Sequence, residues 1–150
     1  MSDVIIYNVE NMEDMNECLD LRLLVFCKEQ GFSEEIEKDE YDKPFPRPDV
    51  VHCIAKKDGR ILGTCRLIKG DGYCKLGRIV TSKDARGHGI GSKLCAYGEN
   101  VAKSLWDVTK MKISSQHQVR GFYEKCGYKY DEKGYYDDEG WPHCMLEKYI

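Results

Sequence analysis

No apolar run in this chain approaches the ~18 residues that a helix needs to cross a bilayer, so a membrane span is not expected. The opening "MSDVIIYNVENMED" is too acidic, and its apolar stretch too short, to read as a signal peptide. There is no Cys-x-x-Cys pair: the eight cysteines stand at 18, 27, 53, 65, 74, 95, 126 and 144, most of them inside apolar patterns. Zinc sites want thiolates clustered at short spacings, and disulfide frameworks serve small secreted domains that lack a sufficient core. The thiols therefore read as small buried hydrophobes, with sensitivity to oxidation left open, and no metal is expected. Basic charge is not in surplus either. Lys and Arg number 23 against 26 Asp and Glu, and no basic stripe marks a nucleic-acid partner. The expected compartment is the cytoplasm, with the nucleus left open.

What is present is one domain's worth of chain, residues 1–150, enough for a real core. "VIIYNV" (4–9) reads as a strand, after which Asn11 can cap a helix from about Met12 to Gln30, broken near Leu23. At helical spacing Arg22, Phe26 and Glu29/Gln30 share one face of it. Residues 31–50 read as a loop, with three of the four prolines in "KPFPRPD". Its run "EEIEKDEYD" (34–42) carries six carboxylates against one lysine. Such a run is usually a solvated edge, but beside a pocket it would attract a cation.

Three strands then form a meander. They are "VHCIAKK" (51–57), "RILGTCRLI" (60–68) and "YCKLGRIVTS" (73–82). A helix of about 88–105 follows, then the strand "KMKISS" (110–115) and a short helix "HQVRGFYEKC" (117–126). "YKYDE" and "HCMLEKY" close the chain as strands joined through "KGYYDDEGWP". This order predicts an α/β (α+β) domain: a mixed, mostly antiparallel sheet with helices on both faces.

"ARGHGIGSKL" (85–94) sits between a strand and a helix, with glycines at 87, 89 and 91. A P-loop requires Gly-x-x-x-x-Gly-Lys-Ser/Thr, and Lys93 falls out of that register. A dinucleotide fingerprint requires Gly-x-Gly-x-x-Gly, which also fails. The amides of residues 87–92 would nonetheless lie at a helix N-terminus, where free donors and the dipole favour an anion.

Taken with its neighbours, "LGRIVTSKDARGHGIGSKL" resembles the acyl-coenzyme A motif of the GNAT acetyltransferase superfamily. "QHQVRGFYEKCGY" matches that family's downstream signature, with Gln116 in place of the usual Asn and Val119 in place of the usual Ala. "LRLLVFCKEQGF", "SSQHQVRGFYEKCGY" and "DDEGWPHCML" are similar to the ElaA-like subgroup, and the similarity extends over nearly the whole chain.

The resemblance implies a single GNAT-type domain, splayed between its fourth and fifth strands, that moves acetyl from acetyl-coenzyme A to an amine without a covalent enzyme intermediate. It places the co-substrate on Ile79, Val80, Thr81, Arg86, Gly87, His88, Gly89, Ile90, Gly91, Ser92, Gln116, Phe122 and Tyr123. Arg86 would add a charge-assisted bond to the pyrophosphate, and Tyr123 would protonate the leaving thiolate. The acceptor amine must lose a proton, which for a lysine-like group costs roughly 4.6 kcal/mol at pH 7. Candidate bases are Glu29, Asp39, Asp42, His52 and His143; each His opens a strand on the acceptor side. Glu29, Gln30, Asp39, Asp42, His52, Arg66, Arg78 and His143 are the expected acceptor-binding residues. Arg66 and Arg78, mid-strand, need partners; these are either acids of the first helix or an acceptor carboxylate or hydroxyl. The expected partner is a small-molecule amine, such as glucosamine or a polyamine, with no nucleic acid and no membrane, and a homodimer left open. The alternatives are acetylation of a protein lysine or N-terminus, and a non-catalytic acyl-coenzyme A-binding module.

Overall fold

The computed structural model describes residues 3–31, 39–138 and 141–150. Glu34, Glu35 and Glu37 of the acidic run lie outside the described residues.

Seven strands form one sheet: β1 (Ile5–Asn8), β2 (Val50–Lys57), β3 (Arg60–Lys69), β4 (Cys74–Thr81), β5 (Lys110–Gln116), β6 (Lys129–Asp138) and β7 (Trp141–Tyr149). Their order is β1-β2-β3-β4-β5-β7-β6, and every neighbouring pair is antiparallel except β4–β5. This is the mixed, mostly antiparallel sheet that the order of elements predicts. Strand alternation assigns the faces. Cys53, Ala55, Cys65, Leu67, Cys74 and Leu76 point to one side, where Leu94, Cys95 and Ala102 of helix α2 (Ile90–Trp106) complete the main core. His52, Ile54, Thr64 and Arg66 alternate with them and so point the other way, where Ile54 meets Met15 and Cys18 of helix α1 (Met12–Arg22). Six cysteines are buried, Cys27 and Cys126 are half-buried, and all eight are free thiols.

Helix α1 begins where Asn11 accepts a hydrogen bond from the Asp14 amide at 2.8 Å, a standard N-cap. It does not break at Leu23. It widens into a π-helical segment, Leu23–Glu29, in which the Gln30 amide reaches back five residues to the Val25 carbonyl. The wider turn separates side chains that α-helical spacing places together. Arg22 is buried beneath the sheet face, whereas Phe26, Glu29 and Gln30 turn to the edge of a cleft.

At the far end of the sheet β6 and β7 run on through most of the segment expected to be loop. A register shift between Asp131 and Tyr136 absorbs the irregular stretch. β6 is an edge strand, so a break in its ladder strands few backbone partners.

Candidate active site

β4 and β5 pair only over Cys74–Leu76 and Met111–Ile113. Beyond them β5 continues against β7 as far as Gln116 opposite His143, while β4 stays with β3. The strands therefore part, and β4 beyond Leu76 has no strand partner on that side among the described residues. A register shift between Thr64 and Arg66 accompanies the parting, and Arg78 sits there with φ +50°. That conformation costs a non-glycine residue roughly 1–2 kcal/mol.

A cleft of about 610 Å³ opens at the fork. Its walls include Arg78–Thr81 of β4, Ser114–Gln116 of β5, and Phe26, Glu29 and Gln30 of the π-helical segment. Arg86, Gly87 and Gly89–Gly91 close one end, and helix α3 (Arg120–Lys125) contributes Phe122 and Tyr123.

The glycines of the loop do different jobs. Gly87 and Gly89 are left-handed at φ +84° and +77°, and a Cβ at either would meet no heavy atom within 4 Å. Backbone conformation is what selects glycine there. Gly91 is different: a Cβ would stand 2.9 Å from the Phe122 ring, so this glycine lets α3 pack onto α2. Gly89 caps α2 with no side chain, and the first helical bond runs from the Lys93 amide to the Gly89 carbonyl. The amides of Ile90, Gly91 and Ser92 thus have no acceptor within the helix. Open donors, left-handed glycines and the adjoining Arg86 guanidinium fit a pyrophosphate. His88 and Ser92 belong to the loop but do not line the cleft.

Two hydrogen bonds span the cleft. Arg86 donates from Nη2 to Glu29 Oε1 at 2.9 Å. Gln116 Nε2 donates to Gln30 Oε1. The half-buried Tyr123 stands edge-on to Phe122 and Tyr128, with centroids 5.0 and 6.4 Å away. Burial pushes its phenol pKa above the ordinary value of 10, so it is protonated throughout the physiological range.

On the opposite face Asp39 and Asp42 join an arginine network instead of standing in solvent. Arg22, 1% exposed, holds both Asp42 oxygens at 2.8 and 3.0 Å. Arg66 bonds both Asp39 oxygens and reaches Asp42 at 3.2 Å, and Arg78 meets Asp39 at 3.3 Å. Burial works against ionising Asp42, but the hydrogen bonds and charge of Arg22, with Arg66, outweigh it and hold the carboxyl at about 2. The partners of Arg66 and Arg78 named here come from the loop, not from the first helix. Asp42 and His52 line no part of the cleft.

His52 is buried, with its ring edge-on to that of Phe45. Burial, then the Arg22 charge, pushes its pKa down from 6.5 to about 4. The folded protein therefore refuses a proton that the unfolded chain accepts. Stability should hold above pH 6.5 and fall as pH drops toward 4, by an amount on the order of 3 kcal/mol. Urea titrations across that range should show His52→Gln with a flatter profile than the wild type; identical slopes would refute this. His143, by contrast, lines the cleft and stacks on Tyr136 at 5.6 Å.

The profile of the acetyltransferase (GNAT) family matches residues 15–128. The chain belongs to the GNAT acetyltransferases. Among curated relatives, the Bacillus subtilis protein YyaT is 32% identical over 137 residues, covering 91% of this chain and 90% of that one. Among solved structures, an acyl-CoA N-acyltransferase from Pseudomonas aeruginosa superposes with a TM-score of 0.82 at 26% identity, over 99% of each chain. Escherichia coli ElaA shares the fold at the same TM-score and coverage with 21% identity. As a GNAT acetyltransferase the protein takes its acyl group from acetyl-coenzyme A and delivers it to an amine.

The GNAT fold also brings residues to the cleft that sequence reading did not single out. Ser114 and Ser115 line it, and the Ser114 hydroxyl shares a hydrogen bond with the Tyr136 hydroxyl. Strand alternation could have placed the serines on the two faces of β5. Nothing local to "KMKISS" says that β4 leaves them. Among the described residues no group of three or more His, Cys, Asp or Glu is placed to hold a metal ion.

Proposed function

We propose that this GNAT enzyme acetylates the primary amine of a small molecule by direct attack on the thioester carbonyl. The observation that carries this is the pair of hydrogen bonds across the cleft. Glu29 to Arg86 and Gln30 to Gln116 turn the π-helical segment into a wall, which favours a compact acceptor over a polypeptide laid along a groove.

Acetyl-coenzyme A supplies the activated acyl group. The amides of residues 87–92 and Arg86 hold its pyrophosphate. A backbone N–H of the freed Ile79–Val80–Thr81 edge donates to the carbonyl oxygen as charge develops there. The new N–C bond forms as the C–S bond breaks, Tyr123 gives its proton to the departing sulfur, and the amine's surplus proton goes to a base. His143 is the base this arrangement favours: it lines the cleft, and an imidazole nitrogen can accept the amine's proton. His52 and Asp42 lie behind the arginine network and have pKa values of about 4 and about 2, poorly matched to the task at pH 7.

The direct experiment measures free thiol release from acetyl-coenzyme A with an amino sugar, a polyamine, an amino acid and a lysine peptide. Small amines should be turned over and the peptide should not. His143→Gln should lower kcat/KM by about 10- to 100-fold at pH 7. The deficit should shrink as pH rises toward the acceptor's own pKa, where the amine deprotonates unaided. A constant deficit at all pH values would remove His143 from the base role, and preference for the peptide would remove the small-molecule reading.

A further inference from the structure

A second cavity of about 420 Å³ lies beyond the fork and shares Arg78, Ser114 and His143 with the cleft. Strand alternation sets its position. Cys74 and Leu76 of β4 and Leu67 of β3 face α2, so Lys75, Arg66 and Ile68 face the other way and line this cavity. Its described lining includes four cationic residues, Arg66, Lys69, Lys75 and Arg78, against one carboxylate, Asp39; Lys69 is the last residue of β3, where the alternation ends. Both oxygens of Asp39 already accept from Arg66, and one also accepts from Arg78. Arg66 is 5% exposed, and its buried Nε–H meets no acceptor.

A polycation approaching His143 from this side would meet like charge. An anion would find guanidinium and ammonium donors able to make charge-assisted bonds, in a concave surface of one sign that raises its local concentration. We propose that the second cavity binds an anionic group of the acceptor, a carboxylate or a phosphate, so that the substrate is an amine carrying an acidic function. This rests on the acetyl-transfer reading above and narrows its acceptor class. The sequence expectation of a cation drawn in by Asp39 and Asp42 takes the opposite sign here, because both carboxylates are engaged by arginines.

The test has two arms. In the first, thiol release is compared for matched acceptors: an ω-amino carboxylate against its amide, and an amino-sugar phosphate against the parent amino sugar. The wild type should favour at least one acidic member by about tenfold or more in kcat/KM, and the preferred pair identifies the anion as carboxylate or phosphate. Lys69→Glu/Lys75→Glu should erase that preference, and added salt should weaken it in the wild type. In the second arm, inorganic phosphate is titrated into the protein saturated with coenzyme A, and backbone amide shifts are followed by NMR. Shifts should concentrate on residues 66–78 and vanish in the double variant. Equal use of charged and neutral acceptors, or a preference for the polyamine, would overturn the inference and leave acetyl transfer standing. Phosphate shifts at residues 66–78 without thiol release from any amine would support the anion site and overturn the acetyl-transfer reading.

Discussion

Gly89→Glu should abolish acetyl-coenzyme A binding while the domain stays folded. Gly89 has φ +77°, and any L side chain there incurs the left-handed penalty, roughly 1–2 kcal/mol. That is small beside the 5–15 kcal/mol typical of a domain, and the new Cβ meets no neighbour within 4 Å. The carboxylate, however, would sit at the start of α2, where the unbonded amides and the dipole favour it. It would occupy the donors a pyrophosphate needs and repel the phosphates as well. Calorimetry should show affinity lower by at least about 100-fold, with circular dichroism unchanged and Tm lower by a few degrees. Gly89→Ala, which carries the backbone penalty without the charge, should lose much less. Wild-type affinity in a folded Gly89→Glu protein would show that the loop does not hold the co-substrate.

Tyr123→Phe should leave that affinity intact and reduce kcat by ~10²–10⁴-fold, the loss expected when a transition-state proton donor is removed. The substitution deletes one oxygen and keeps the ring that packs between Phe122 and Tyr128. A tyrosine whose pKa is raised by burial keeps its proton at alkaline pH. The wild-type kcat profile should therefore show no alkaline loss due to this residue below its ordinary value of 10. An undiminished kcat in the variant would make Tyr123 a packing residue only.

The parts of the fold that could be read in the sequence are those whose cause is local. The glycine loop, the helix after it and the "QHQVRGFYEKCGY" segment each carry their signal within a dozen or so positions. β2, β3 and β4 are bounded by turn residues close at hand. The arginine network had no such signal. Arg22 and Asp42 are 20 positions apart, and Arg78 and Asp39 are 39 apart. A run of acids in a proline-bearing loop looks solvated until the fold brings cations to it. His52 was misleading for a related reason. β2 begins two residues before it, and both faces of that strand are covered, so a histidine near a strand's start lies deep in the interior. The continuation of β6 and β7 was hidden by Gly and Asp content, which marks loops more often than edge strands.

The π-helical turn gives the cleft wall a tolerance to a change in length. Such a turn holds, in effect, one residue more than an α-helix needs. Deleting one residue between Leu23 and Glu29 would let the ladder close as a regular α-helix, with no backbone donor stranded. Because the wide turn already absorbs the extra residue, the positions after it would keep nearly the same orientation, and Glu29 and Gln30 would still face Arg86 and Gln116. The same deletion within α1 would instead swing everything beyond it by about 100°. Where a length difference falls between the first helix and the glycine loop is therefore as informative about the acceptor side as the identities of the residues.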